Sequence, residues 1–283
     1  MNPTPRPRLS LLGPPDGWIR TIIRVFRELG EDNLTVVAAG VAFYFLLAVV
    51  PLLAAMVSIY GLVADPELVH ETVVSTASVL PAEGRAVLES QLLRISAGTE
   101  ESLSLGVMSG IALSLWSAAY GTNALMAGLN VAYDTRETRH IIVRYLVSFA
   151  LLAVGMVPAF MAITALGVLP AMFTAVVDVL TWPILALAFW AYLLVFYRFG
   201  PSRPRTRTAW VMPGAFLATG LWVAVSIGFS NYVSTFDTYT EMYGSLAGVV
   251  VLLVWLWLTA LMILVGAELN AELERQTSEA AVA

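Results

Sequence analysis

The sequence contains no cysteine and no lysine, and only two histidines among its 283 residues. The missing cysteines exclude disulfides, cysteine-ligated zinc and a thiol nucleophile. The histidines, His70 and His140, lie in different loops and are too few for the His-based ligand sets of metal enzymes. All fifteen basic residues are arginine, which the coding bias of a GC-rich genome accounts for without functional meaning. Charge is scarce as well: 12% of residues are charged, where a soluble domain has about a quarter. Nothing in this composition calls for a cofactor or a bound metal.

What is present is apolar, 59% of the chain. Six segments reach the roughly 17–25 apolar residues that a bilayer crossing needs. They run from Leu34 to Val63, Leu103 to Leu129, Ile141 to Leu169, Val176 to Phe199, Ala209 to Val233 and Gly244 to Glu268. Asp178 and Pro183 fall near the start of the fourth. No cleavable leader is apparent, since "LSLLG" is short and is followed by Pro14 and Pro15. The expected fold is an all-α integral membrane protein with a membrane domain over 34–268 and a cytoplasmic tail over 269–283.

Arginines orient this chain. Thirteen of the fifteen lie before the first span, between spans two and three, between four and five, or after the last. Arg85 and Arg94 alone fall on the other side. The positive-inside rule then places both termini in the cytoplasm of a bacterial plasma (inner) membrane. Residues 1–33 form the cytoplasmic N-terminal region. Within it Trp18, Ile19, Ile22, Ile23, Phe26 and Leu29 recur at helical spacing opposite Arg20, Arg24 and Arg27, the pattern of an amphipathic helix in the interface or packed on the bundle. Between spans one and two, residues 64–101 carry seven acids and are split by Pro81; two short helices capping the bundle are expected there.

Polar residues within the spans are few, so each is a candidate. On one helix Trp116, Tyr120, Asn123 and Asn130 follow one another at spacings that share a face, a polar stripe and candidate substrate path. Asp32, Asn33, Tyr133, Asp134, Glu137, Arg139, Glu268 and Asn270 gather at the cytoplasmic boundary. The stretch "LMILVGAELNAELER" poses a specific problem, because Glu268 closes an apolar run at a helix end where negative charge is unwelcome. A pair between Arg139 and Glu268, with Asn130 and Asn270 nearby, would solve it; solvated Glu268 with Arg139 on Glu137 is the alternative. Pro51 removes the hydrogen bond to Leu47 and is a candidate kink. Small residues at Gly106 and Gly110, at Gly244 and Gly248, and at Gly220, Ala224 and Gly228 suit close helix packing within the chain or a homo-oligomer.

At "AAGVAFYFLLAVVPLL", "LWSAAYGTNALMAGLNVAYDTRETR" and "YGSLAGVVVLLVWLWLTALMILVGAELNAELER" the chain resembles the YihY/BrkB family of bacterial inner-membrane proteins, from about Trp18 to Arg275. The joint occurrence of LN-x-x-Y-D-x-x-E-T-R and G-A-E-L-N carries the resemblance. It implies a multi-pass inner-membrane protein, associated by name with virulence, for which transport or export has been proposed. The family has also carried a ribonuclease label. Loops of roughly a dozen residues and two histidines on opposite sides of the membrane cannot supply a nuclease centre. The loop arginines are what topology alone requires, so no nucleic-acid partner is expected; membrane lipids are.

Two functions remain in view. One is a transporter or exporter of lipid or another amphiphile, and the other is a non-transporting membrane scaffold in envelope assembly. An intramembrane enzyme finds no support, because Ser117 has no His or Lys at membrane depth to activate it and Asp178 has no second aspartate.

Overall fold

A computed structural model describes residues 17–63, 100–167, 174–203, 208–235 and 247–280. Among the described residues there are seven helices and no strand. They are α1 (Trp18–Glu31), α2 (Leu34–Val63), α3 (Glu100–Ala132), α4 (Ile141–Gly167), α5 (Thr174–Phe199), α6 (Thr208–Thr235) and α7 (Ala247–Ala280). Among the described residues each of the six expected segments overlaps a helix, α2 to α7, but fewer than six pass as membrane crossings by length and composition. Residues 64–99 of the expected cap lie outside the described residues.

By length and composition, Trp182–Phe199, Trp210–Phe229 and Gly248–Thr277 are apolar enough to cross a membrane. The pair α1 with Leu34–Val49, bent by 64°, makes a fourth if it is read as one broken span. The bend sits at Asp32–Asn33. The Asp32 N–H donates to the Glu28 carbonyl at 2.8 Å and the Asn33 N–H to the Gly30 carbonyl at 3.3 Å, which closes α1. Asn33 has a φ of 51°, a left-handed conformation that asparagine tolerates better than most residues. Its own carbonyl then accepts from Val36 and Val37, so the same residue starts α2. Pro51 lies inside α2, which is helical on both sides of it.

The chain divides into two compact units, one from Ala42–Gly121 with Phe229–Leu256, the other from residues up to Val41, Thr122–Gly228 and Trp257 onward. The second of these carries most of the polar residues. Its core places Leu34, Leu129, Phe196, Tyr197 and Leu264 out of reach of solvent. Large apolar side chains on the same helices are nevertheless open, among them Phe216, Leu187, Ile142 and Leu146. In water such faces would drive aggregation; in a bilayer they are simply solvated by lipid.

Lipid also weakens the usual driving force between helices, so close packing and hydrogen bonds must hold them. α4 packs along α5, where a Cβ on Gly155 would stand 3.0 Å from the Tyr192 ring. Gly128 serves a similar end, since a Cβ there would meet Leu264 at 2.7 Å and Val37 at 3.0 Å. The Tyr197 hydroxyl donates to the Ile263 carbonyl at 2.6 Å, and the Trp257 indole N–H donates to the Thr35 carbonyl at 3.0 Å.

α7 does not end at Glu268 as the apolar run suggested; it continues to Ala280. Residues 269–280 contain no Gly or Pro, and Glu272 is tied to Arg275 and Gln276 one turn on. This extension is what α1 packs against. α1 buries Thr21, Val25 and Leu29, and Arg24 reaches the buried Glu272 at 3.0 Å while Gln276 donates to the Thr21 hydroxyl at 3.1 Å. Trp18, Ile19, Ile22, Ile23 and Phe26 face outward. The amphipathic helix is thus docked on the protein along one narrow seam and apolar on its open side.

Candidate functional site

The polar residues of the larger unit form three linked junctions. The first is built on Asn130, in the last turn of α3. That helix closes with Thr135 N–H on the Asn130 carbonyl at 2.8 Å and Asp134 N–H on the Val131 carbonyl at 2.9 Å, with Asp134 at φ 49°. This is the Schellman pattern, with Asp in the left-handed position glycine more often takes. The Asn130 amide donates to Glu137 at 3.0 Å, and its oxygen accepts from the Ser202 N–H at 2.7 Å. A buried asparagine therefore ties the loop after α3 to the loop after α5. Burial would raise the Glu137 carboxyl, but the hydrogen bonds from the Arg139 N–H, Asn130 and Ser202, with the Arg139 charge, hold it below its ordinary value.

Arg139 completes that junction rather than neutralising Glu268. Its guanidinium lies 3.8 Å from Glu137 and donates to the carbonyls of Phe199 at 3.3 Å, Gly200 at 2.9 Å and Pro201. Phe199 ends α5 and Gly200 and Pro201 follow it directly, where the helix dipole favours a cation. The expected pair with Glu268 does not form; the guanidinium turns instead to those carbonyls and to Glu137.

The second junction joins α6 to α7. Asn270 is fully buried; its oxygen accepts from the Gly214 N–H at 2.7 Å, and its amide donates to the Val211 carbonyl at 3.3 Å. Pro213 sits inside α6. A side chain that serves the backbone beside a proline is how membrane helices tolerate one. The approach is close enough that a Cβ on Gly214 would overlap the Gly266 carbonyl and Asn270, and one on Gly266 would stand 2.5 Å from the Gly214 carbonyl. Beside it Arg203 pairs with Glu274 and lies 3.6 Å over the Tyr133 ring. Burial, only partly countered by Arg203, pushes the Tyr133 hydroxyl well above the usual tyrosine range.

The third junction is the bend between α1 and α2. Glu268 is 3% exposed, and its Oε1 has no hydrogen-bond partner. Burial first, then the charges of Asp134, Glu28 and Glu31, raise the Asp32 carboxyl above its ordinary value, with Glu268 opposing them. Arg275 engages Glu28 at 3.7 Å and Glu272. Among the described residues no three His, Cys, Asp or Glu side chains are grouped as metal ligands.

The family model described as virulence factor BrkB matches residues 25–283. The chain belongs to that family. Among its relatives is a Bacillus subtilis protein named as ribonuclease-like, YfkH, 32% identical over 254 residues that cover 84% of this chain and 90% of the relative. Two others carry the name UPF0761 membrane protein. That of Pseudoalteromonas translucida is 26% identical, covering 91% of this chain and 85% of its own, and that of Vibrio atlanticus is 29% identical, covering 88% and 80%. No solved structure matches. The motifs that carried the resemblance are, in this BrkB-family chain, the Asn130, Asn270 and Glu268 junctions just described.

The proposed stripe divides. Trp116 is 63% exposed and stands 5.6 Å from the Tyr120 ring, which stacks on Tyr44 at the same distance, all within the smaller unit. Asn123 and Asn130 belong to the larger unit, and Asn130 is buried and hydrogen-bonded. A common helix face thus passes from an open aromatic ladder to a sealed knot. Sequence reasoning missed the Gly214–Gly266 crossing, the Arg203–Glu274 pair and the Arg24–Glu272–Gln276 seam. A signal existed for the first: Pro213–Gly214 in one apolar helix and Gly266–x-x-x–Asn270 in another.

Proposed function

We propose that this protein is a transporter or exporter of the bacterial inner membrane that moves a lipid or similar amphiphile, with both termini cytoplasmic. The observation that carries the reading is Glu268. It is a buried acid inside an apolar helix with one oxygen unpartnered, in a protein that also has a bent helix pair. An ionisable group at membrane depth is expensive, and sites in transporters form where helices are interrupted. The apolar outer side of α1, flanked by Arg20 and Arg27, suits a helix lying in the headgroup region.

The test is reconstitution into vesicles holding a fluorescent lipid in both leaflets, with a membrane-impermeant quencher outside. Wild type should expose the inner-leaflet lipid and Glu268→Gln should slow it. A wild-type trace matching protein-free vesicles refutes the reading. Native mass spectrometry of wild type and Asn123→Ala, seeking a lipid specific to the former, would locate the path.

A membrane scaffold is the second reading. It is favoured by one feature, the open seam of α6, where Gly220, Ala224 and Gly228 are exposed and added Cβ atoms on the two glycines would meet nothing within 4 Å. The ribonuclease-like name of the Bacillus relative is not carried over, since the described residues offer no metal-ligand group of the kind such chemistry needs.

A further inference from the structure

We propose that the aromatic ladder of Phe43, Tyr44, Tyr120 and Trp116 is a binding site for the headgroup of an aminophospholipid such as phosphatidylethanolamine. The rings touch one after another. Phe43 meets Tyr44 edge-on, Tyr44 stacks on Tyr120, and Trp116 tilts against Tyr120, each pair with centroids 5.6 Å apart. Two rings come from α2 and two from α3, which run side by side here: a Cβ on Gly121 would stand 3.0 Å from the Phe45 ring. All of these residues belong to the smaller unit. The ladder is open at both ends, since Trp116 is 63% exposed and Phe43 52%.

Its depth sets it apart. Trp116 is the middle residue of α3, sixteen from either end, and Tyr44 lies ten residues into α2. At a rise of about 1.5 Å per residue they stand about 24 Å and about 15 Å from the nearer helix ends. That is within the hydrocarbon of the spans read from the sequence. Tyrosine and tryptophan gather at the membrane surface, where the ring sits in lipid and the polar end in water. Three of them joined at depth, with Trp116 open, lack that reason to be there.

The ligand class follows from charge. Residues 42–63 and 102–121 contain no Arg, Lys, Asp or Glu. With no charged side chain at hand, the electronegative ring faces decide which ion this surface attracts, and they attract cations. An ammonium over either end of the ladder falls within the roughly 6 Å reach of two rings at once. A bare cation would bring uncompensated charge to a site with no carboxylate. A zwitterionic headgroup carries its own counter-charge, and its phosphate can accept from the Trp116 indole N–H. An anionic headgroup without an amine gains nothing from the rings. Under the transport reading above, on which this clause alone rests, the same headgroup is the cargo.

Native mass spectrometry of the full chain in mild detergent tests it, with equimolar phosphatidylethanolamine and phosphatidylglycerol of matched acyl chains. The wild type is expected to retain the ethanolamine lipid preferentially. N-acetyl-phosphatidylethanolamine, which keeps the phosphate and the chains but loses the cation, should not compete. Trp116→Leu and Tyr120→Leu should each cut the preference about five- to thirtyfold, while Trp116→Phe, which keeps a ring face, retains most of it. Equal retention of the two lipids by the wild type overturns the proposal, as does competition by the acetylated lipid; neither outcome depends on a variant that folds. It is also overturned if the preference survives both leucine substitutions, or if the protein is a lipid-free dimer that Trp116→Leu splits. Lipid movement is measured separately: preference without movement refutes transport alone, and movement without preference refutes the ammonium site alone.

Discussion

Replacing Asn270 tests most directly how this fold is held. Its side chain supplies an acceptor to Gly214 N–H at 2.7 Å and a donor to the Val211 carbonyl at 3.3 Å, at a position closed to solvent. Asn270→Ala orphans both. A buried polar group left without a partner costs about 1–3 kcal/mol, so the two together cost about 2–6 kcal/mol. Interhelical hydrogen bonds in membranes average less, nearer about 0.6 kcal/mol, because the freed groups find other partners. Here the freed groups are main-chain atoms flanking Pro213, held under the Gly266 crossing, so the upper range is the better guide and about 2–4 kcal/mol is expected. Reversible unfolding by SDS in mixed micelles, followed by circular dichroism, would measure it. Asn270→Leu, close to asparagine in volume, separates bonding from cavity formation and should cost as much as alanine. Recovery of stability in the leucine variant, or a loss below about 0.5 kcal/mol in either, would refute the hydrogen-bond account. Gly214→Ala strikes the same crossing from the other helix, and its cost should not add to that of Asn270→Ala, because both open one contact.

Arg203→Met leaves the part-buried Glu274 without that cation and should lower stability by about 1.5–3 kcal/mol. Arg203→Lys, which keeps the charge but loses the planar stack on Tyr133, should lose only about 0.5–2 kcal/mol; no loss would show that the stack contributes nothing, and a loss equal to that of the methionine variant would show the same of the charge. Glu137 has a depressed carboxyl, so it stabilises the fold above the ordinary carboxylate range and stops doing so as pH falls through its folded value. Thermal melts from neutral to acid pH should therefore fall less steeply for Glu137→Gln than for wild type; parallel curves would remove Glu137 from the acid response. If α6 meets a second copy of the chain along its open seam, Ala224→Cys in this cysteine-free protein should give an oxidant-dependent dimer in membranes. Recovery of monomer alone would leave the seam to lipid.

The helices were legible because lipid imposes one rule on every span, a long apolar run with backbone bonds satisfied inside it. Leu34–Val63 emerged with the bounds expected of it. The end of α7 did not, because a drop in hydropathy at Glu268 marks the edge of an apolar run and says nothing about helix termination. Residues 269–280 stay helical through Glu272, Arg275 and Gln276, and their buried face is set by α1, whose docking no local pattern encodes. Arg139 was misassigned for a related reason. Charge complementarity across the sequence suggested Glu268, whereas the carbonyls at and just past the end of α5 are acceptors that no residue letter displays. The glycine crossing was hidden because a small residue reports close approach without naming what approaches.

The satisfied junctions also narrow where function can reside. Asn130, Asn270 and Arg139 were candidates because they are polar in an apolar chain, yet the structure gives each of them a structural task. Asn130 spends its amide and its oxygen on joining two loops, Asn270 spends both ends on α6, and Arg139 closes α5. A side chain so engaged can bind a substrate only by breaking what holds the helices together, at a cost comparable to the stability of the fold. Glu268 differs. It carries the desolvation cost of a buried acid and keeps an oxygen with no partner. Packing alone would favour an apolar residue there, since leucine at 268 would continue the run without any polar group to satisfy. That gives Glu268→Leu a sharp expectation: a protein that is more stable and folds as well, but in which the lipid movement is gone. A leucine variant less stable than wild type would make Glu268 one more structural fastening.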